Sequence, residues 1–132
     1  VETKGNPLAH AILRGYVDNT GRTCPNYHYE DLMGLYEQYQ AKNLQNMAVI
    51  VDTNHANSGK NHLQQPRIVN EVMHACRHSG EIRSMVKGFM VESYLEDGNQ
   101  KVGEGIYGKS ITDPCLGWEK TEKMIFELAD QL

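Results

Sequence analysis

Apolar residues along this chain fall into three short unbroken runs, separated by segments in which they recur at helical spacing. The runs are LAHAILRG at 8–15, MAVIVD at 47–52 and VKGFMVE at 86–92. Each is too short for an ordinary helix, and a continuous apolar run of this kind suits a strand of a buried parallel sheet. Between the first two runs, Leu32, Leu35, Tyr36 and Tyr39 recur with the helical period over 29–43. Between the second and third, Ile68, Val69, Val72, Met73 and Cys76 form another stripe, behind a Pro66 that suits the first turn of a helix. A last helix is predicted over 115–132, with Thr121, Ile125, Leu128 and Leu132 on one face. The stretches YVDNTGRTCPNY and EDGNQKVGEGIYGKSITDP carry the residues of turns and loops. The order β-α-β-α-β-loop-α predicts an α/β fold, with parallel strands covered by helices. No repeat or linker divides it, so residues 1–132 are expected to form a single domain.

Composition narrows the function classes. A net charge of −4 gives no basic footprint for nucleic acid. No apolar stretch approaches the roughly 18 residues of a membrane span, and no signal-peptide pattern is present, so no membrane partner is expected. The three cysteines, Cys24, Cys76 and Cys115, include no C-x-x-C pair and read as free thiols of a reducing, cytoplasmic setting. A chain that starts at Val1 rather than Met is expected to be a piece of something longer.

The ends of the runs carry the chemistry. In a parallel sheet of this class all strand C-termini lie along one rim, where sites are built. That rim would hold Arg14, the segment Asp52–Lys60 and Glu92, with Asp113 nearby in SITDP. Glu92 follows Phe89, Met90 and Val91 directly, and a carboxylate there must be exposed, paired or bound to metal, because burying it alone costs too much. His55, Glu92 and Asp113 make an N,O,O set suited to a divalent transition metal. The planar fork of Arg14 suits a phosphate or carboxylate, and Lys60 and Lys109 add positive charge.

Each of these residues also has an ordinary structural use. His55 reads equally as a hydrogen-bonded loop residue, Glu92 as a solvated carboxylate, Asp113 as a helix cap and Arg14 as half of an ion pair. Spacing alone leaves both readings open. Other signals are weaker. GEGIYG at 103–108 matches G-x-G-x-x-G but follows a loop rather than a strand. His74 and His78 share a helix face that is expected to be solvated, Cys76 belongs to a core stripe, and Cys115 is a minor candidate ligand near Asp113.

Four segments, TKGNP…HAILRG, VDTNHANSGK, GFMVESYLEDGNQ and YGKSITDPCLGW, resemble in order the C-terminal part of the class I 3-deoxy-7-phosphoheptulonate synthases. This is the DAHP synthase, or phospho-2-dehydro-3-deoxyheptonate aldolase, family, and the resemblance spans essentially the whole chain. It implies the C-terminal portion of a (β/α)8 TIM barrel, about three β/α units corresponding to strands 6–8. It implies a shikimate-pathway reaction of aromatic amino acid biosynthesis, the metal-dependent condensation of phosphoenolpyruvate with erythrose 4-phosphate. It assigns His55, Glu92 and Asp113 as metal ligands for Mn, Fe, Co or a similar divalent ion, and places Arg14 at phosphoenolpyruvate.

Departures from the family pattern matter as well. The G-P-C-S cysteine ligand and the K-P-R-T segment for erythrose 4-phosphate do not occur in these 132 residues. Thr53 and Asn54 stand in DTNH where the family commonly has D-F-S-H, and Tyr16 stands where it has R-G-G. The isolated chain is therefore expected to hold metal weakly, to be inactive and to form homo-oligomers. The alternatives are a non-catalytic barrel fragment serving as an assembly module, and a metal- and anion-binding domain of other chemistry.

Overall fold

The computed structural model describes all of residues 1–132. In chain order the elements are β1 (Ala11–Leu13), β2 (Tyr16–Val17), β3 (Thr23–Cys24), α1 (Tyr29–Lys42), β4 (Val49–Asp52), α2 (His55–Ser58), α3 (Gln65–His78), α4 (Gly80–Met85), β5 (Val86–Met90) and α5 (Trp118–Ala129). Each apolar run supplies one strand of a single sheet ordered β1-β4-β5, and both pairings are parallel. The α/β expectation therefore holds at that level.

Strand register sorts the side chains by face. Ala11, Val49 and Val86 form one row and Leu13, Val51 and Phe89 another, both packed under the helices. Leu32 and Tyr39 of α1, Ile68 and Val72 of α3, and Ile82 and Met85 of α4 close that core. Side chains alternate across a strand, so Ile12, Ile50 and Gly88 lie on the opposite face, as do Asp52 and Met90. No helix covers that face, and Ile12 is 46% exposed. The runs are apolar throughout because both faces carry apolar side chains, yet on this second face Ile50, Gly88 and Met90 are only half-buried, and Asp52, at the rim, is the buried exception.

Four features depart from the sequence reading. The loop after β1 contains a small antiparallel hairpin, β2 with β3. The six-residue α4 is too short to show a period; Ser79 caps it by accepting a hydrogen bond from Ile82 N at 3.2 Å. The last helix begins at Trp118 rather than 115, because Cys115 exchanges backbone hydrogen bonds with Gly98 and Leu116 N donates to Glu92 O. The buried face of α5 is also different. Thr121 and Met124 are buried beside half-buried Leu128, while Ile125 is 48% and Leu132 84% exposed. Met124 packs with Val69, Met73 and Leu116, and this second cluster docks α5 on α3.

Candidate active site

All four residues singled out on the rim meet at the C-terminal end of the sheet. Arg14 follows β1, His55 opens α2 three residues beyond the end of β4, and Glu92 stands two residues beyond β5. Asp113 arrives from the long loop between β5 and α5. The donor atoms of His55, Glu92 and Asp113 all lie within 4.8 Å of one another. His55 Nε2 is 3.2 Å from Glu92 Oε1 and 3.8 Å from Asp113 Oδ2. Asp113 does not cap α5, since that place belongs to Gly117. Cys115 donates weakly to Asp113 O at 3.5 Å and is not one of the clustered donors.

The backbone holds these groups with some strain. His55 has φ 41 and Lys60 has φ 62, left-handed conformations that a residue with a side chain seldom adopts. Gly15, next to Arg14, has φ +68, and a Cβ there would meet Ala56 Cβ and Cys24 O at 2.8 Å. Its N–H donates to Asn26 Oδ1 at 2.7 Å. Asn57 then ties the strand ends together, donating to Leu13 O at 3.0 Å and to Asp52 O at 2.7 Å.

Two buried polar residues not singled out from sequence organise the site. Asp52 is an acceptor for three donors: Arg14 Nε at 3.1 Å, His55 Nδ1 at 2.7 Å and its neighbour Asn54 N at 2.9 Å. Gln65, fully buried, accepts from Glu92 N at 2.9 Å and from Thr53 Oγ1 at 2.9 Å, and donates to Glu92 O at 2.8 Å. Asn54 donates to Glu92 Oε2 at 2.8 Å, so Thr53 and Asn54, the departures from the family pattern, both support the glutamate. The sequence signal for Asp52 is its place at the end of a strand, three residues before a candidate histidine ligand. Gln65 carries no such signal, because only the tertiary fold buries it.

These contacts decide the chemistry of His55. Asp52 accepts from Nδ1, so in the neutral imidazole Nε2 carries a lone pair and no proton. That lone pair faces two carboxylates, an arrangement that repels unless a proton or a cation lies between them. The Glu92 carboxylate is likewise fixed, with Oε2 held by Asn54 and Oε1 facing His55. A histidine oriented by a carboxylate on its second nitrogen is the usual support of a metal site. Lys60 Nζ lies 2.9 Å from Asp113 Oδ1 and supplies positive charge at the rim.

The loop carrying Asp113 is anchored at Asp97. Asp97 Oδ1 accepts from Gly117 N at 2.7 Å, Oδ2 pairs with Lys120, and His62 Nε2 lies 4.0 Å from Oδ1. The Lys120 hydrogen bond foremost, then the Gly117 N–H, hold the Asp97 carboxyl below its ordinary value against the opposing effect of burial. A lowered folded value contributes stability above the unfolded value, near 4, that is lost as pH falls through the folded one. Asp97→Asn is therefore expected to flatten the acid limb of the melting temperature below about pH 4, measured against the parent chain. An acid limb of unchanged steepness would remove Asp97 from that role.

The sequence pattern of the DAHP synthetase I family matches residues 1–125. The chain belongs to that family. It is 44% identical over 132 residues to the Trp-sensitive phospho-2-dehydro-3-deoxyheptonate aldolase of Enterobacter agglomerans, covering 98% of this chain and 35% of that protein. The Trp-sensitive enzyme of Escherichia coli K12 is 36% identical over 131 residues, with 97% and 35% covered. Among solved structures, phospho-2-dehydro-3-deoxyheptonate aldolase from Francisella tularensis SCHU S4 aligns with a TM-score of 0.83 at 33% identity, covering 98% of this chain and 36% of that one. The chain thus spans about a third of the length of these relatives.

Proposed function

We propose that this chain supplies the metal ligands and one anion clamp of a 3-deoxy-7-phosphoheptulonate synthase. The observation that carries the reading is the convergence of His55, Glu92 and Asp113 at the strand ends of a family member. The donor set fits a divalent ion: one imidazole nitrogen with its lone pair facing inward, and two carboxylate oxygens. When bound, such an ion supplies Lewis acidity toward a carbonyl oxygen.

The chain's own residues would do the rest by positioning. Asp52 holds the His55 tautomer, while Asn54 and Gln65 hold Glu92 at its carboxylate and its backbone. Arg14 uses Nε on Asp52, which leaves its two terminal nitrogens for the phosphoenolpyruvate anion. In the condensation, C3 of phosphoenolpyruvate bonds to the aldehyde carbon of erythrose 4-phosphate, water adds at C2, and phosphate leaves by C–O cleavage. Arg14 would contribute orientation and charge stabilisation to that sequence. In a complete synthase carrying these residues, Arg14→Lys is expected mainly to raise the KM for phosphoenolpyruvate, because lysine keeps the charge and loses the fork. An unchanged KM with only stability altered would make Arg14 a structural ion pair.

The bare sheet face supports a second element of the reading, that β1, β4 and β5 are strands 6–8 of a (β/α)8 barrel. Their uncovered face would then be its inner wall. A closed barrel of this type takes eight strands and typically about 250 residues. By itself the chain presents two open strand edges and partly exposed Ile12, Ile50 and Met90, which invite pairing and association. Light scattering after size exclusion is expected to show self-association of the isolated chain. A clean monomer at high concentration would sink that expectation.

The second reading is a non-catalytic barrel module that serves assembly alone. An assay with both substrates and Mn2+ of this chain, beside a complete barrel that carries these residues, separates the two. Turnover by the chain alone would overturn the expectation that it is inactive, and turnover by neither protein would overturn the synthase reading.

A further inference from the structure

Asp52 stands between the two halves of the site. We propose that Asp52 is a positioning residue whose single oxygen Oδ2 couples the metal ligand His55 to the anion clamp Arg14, so that occupancy of one alters the other. The proposal rests on the reading of His55, Glu92 and Asp113 as metal ligands given above.

The geometry is specific. Oδ2 accepts from His55 Nδ1 at 2.7 Å and from Arg14 Nε at 3.1 Å, while Oδ1 is engaged by Asn54 N at 2.9 Å. The Asp52 side chain is 1% exposed, whereas those of Arg14 and His55 are 53% and 24% exposed. Water therefore has little access to the shared oxygen, although both partners open to the solvent where ligands arrive. Arg14 and His55 follow different strands, β1 and β4, so no local chain connection forces them onto one acceptor.

Two donors on one oxygen compete for the same electron density. A cation at His55 Nε2 would withdraw charge from the ring and make Nδ1–H a stronger donor to Asp52. Asp52 would then be a poorer acceptor for Arg14. The Arg14 guanidinium, less neutralised, would bind an incoming anion more tightly. Low dielectric around a buried carboxylate strengthens this effect over the same contact in water. The sign is positive coupling: metal favours anion, and by reciprocity anion favours metal. One shared hydrogen-bond acceptor places the factor at the lower end of measured site-to-site couplings, about fivefold.

Side-chain NMR of this 14.9 kDa chain reads both hydrogen bonds without any assay of turnover. The probes are Zn2+, which is diamagnetic, and phosphoenolpyruvate. As Zn2+ occupies His55, the His55 Nδ1–H proton is expected to move downfield and the Arg14 Nε–H proton upfield, with one midpoint. Saturating Zn2+ should tighten phosphoenolpyruvate about fivefold. In Asp52→Asn, Zn2+ affinity should fall about 10–100-fold. At saturation the Arg14 proton should no longer respond, and phosphoenolpyruvate affinity should be the same with and without Zn2+. Coupling retained in folded Asp52→Asn would assign it to direct attraction between the two ligands and overturn the role of Asp52. If that variant does not fold, the wild-type spectra still decide: an Arg14 proton that stays still, or moves with the His55 proton, overturns the proposal. Failure of Zn2+ to perturb His55 at all would instead refute the metal-site reading on which it rests.

Discussion

Replacing His55 by alanine in a complete synthase that carries these residues is expected to strip the metal and lower turnover by at least about 100-fold. Losing a group that merely supports a ligand typically costs about 10–100-fold, and losing a ligand itself should cost no less. Glu92→Gln is expected to act similarly with less disturbance. The amide keeps the size of the side chain but removes the negative charge, 3.2 Å from His55 Nε2, that would attract a divalent ion. Metal content after gel filtration, measured beside kcat, checks both variants. Full metal occupancy with unchanged turnover in either one would remove that residue from the ligand set. The 132-residue chain alone is expected to hold metal weakly and below one equivalent. A tight, fully occupied ion there would contradict this and point to a replacement ligand such as Cys115.

The parts of this molecule that the sequence makes legible are those with a one-dimensional signature. MAVIVD and VKGFMVE announce strands because consecutive apolar residues leave no polar face, and Val69, Val72, Met73 and Cys76 announce a helix through their period. The ligand candidates are legible because parallel strands deliver their C-terminal residues to one rim, so topology alone brings Arg14, His55 and Glu92 near one another. Asp113 needed more, since it is carried there by a loop folded back through the Gly98–Cys115 pairing. What stayed hidden depends on contacts between distant segments. The uncovered sheet face cannot be read from runs that are apolar on both sides. The face of α5 turns on docking against Val69 and Met73, which selected Met124 over Ile125. The left-handed backbone of His55 and the burial of Gln65 leave no trace in the residue pattern.

Gln65→Leu is expected to be among the most destabilising single changes in the chain, although Gln65 belongs to no ligand set. Leucine has a similar volume, so no large cavity forms, and the effect is one of hydrogen bonding. The Glu92 N–H would lose its acceptor while remaining largely out of reach of water, a cost of about 1–3 kcal/mol. The bond to Glu92 O also goes, at about 0.5–1.5 kcal/mol. The other atoms keep a partner: the single Thr53 hydroxyl proton, shared with Gln65 Oε1 in the parent, goes to Met90 O, and Glu92 O still accepts from Leu116 N. The total of about 3 kcal/mol is a large share of the 5–15 kcal/mol that holds a typical domain together. Denaturant titration should therefore show a clearly lowered midpoint. The functional consequence would reach the site through Glu92, whose backbone Gln65 grips at both N–H and C=O. A residual folded fraction is accordingly expected to bind Mn2+ more weakly than the parent chain, even with all three ligand side chains in place. A midpoint equal to that of the parent would mean that water replaces the amide, and that Glu92 is held by Asn54 and the sheet alone.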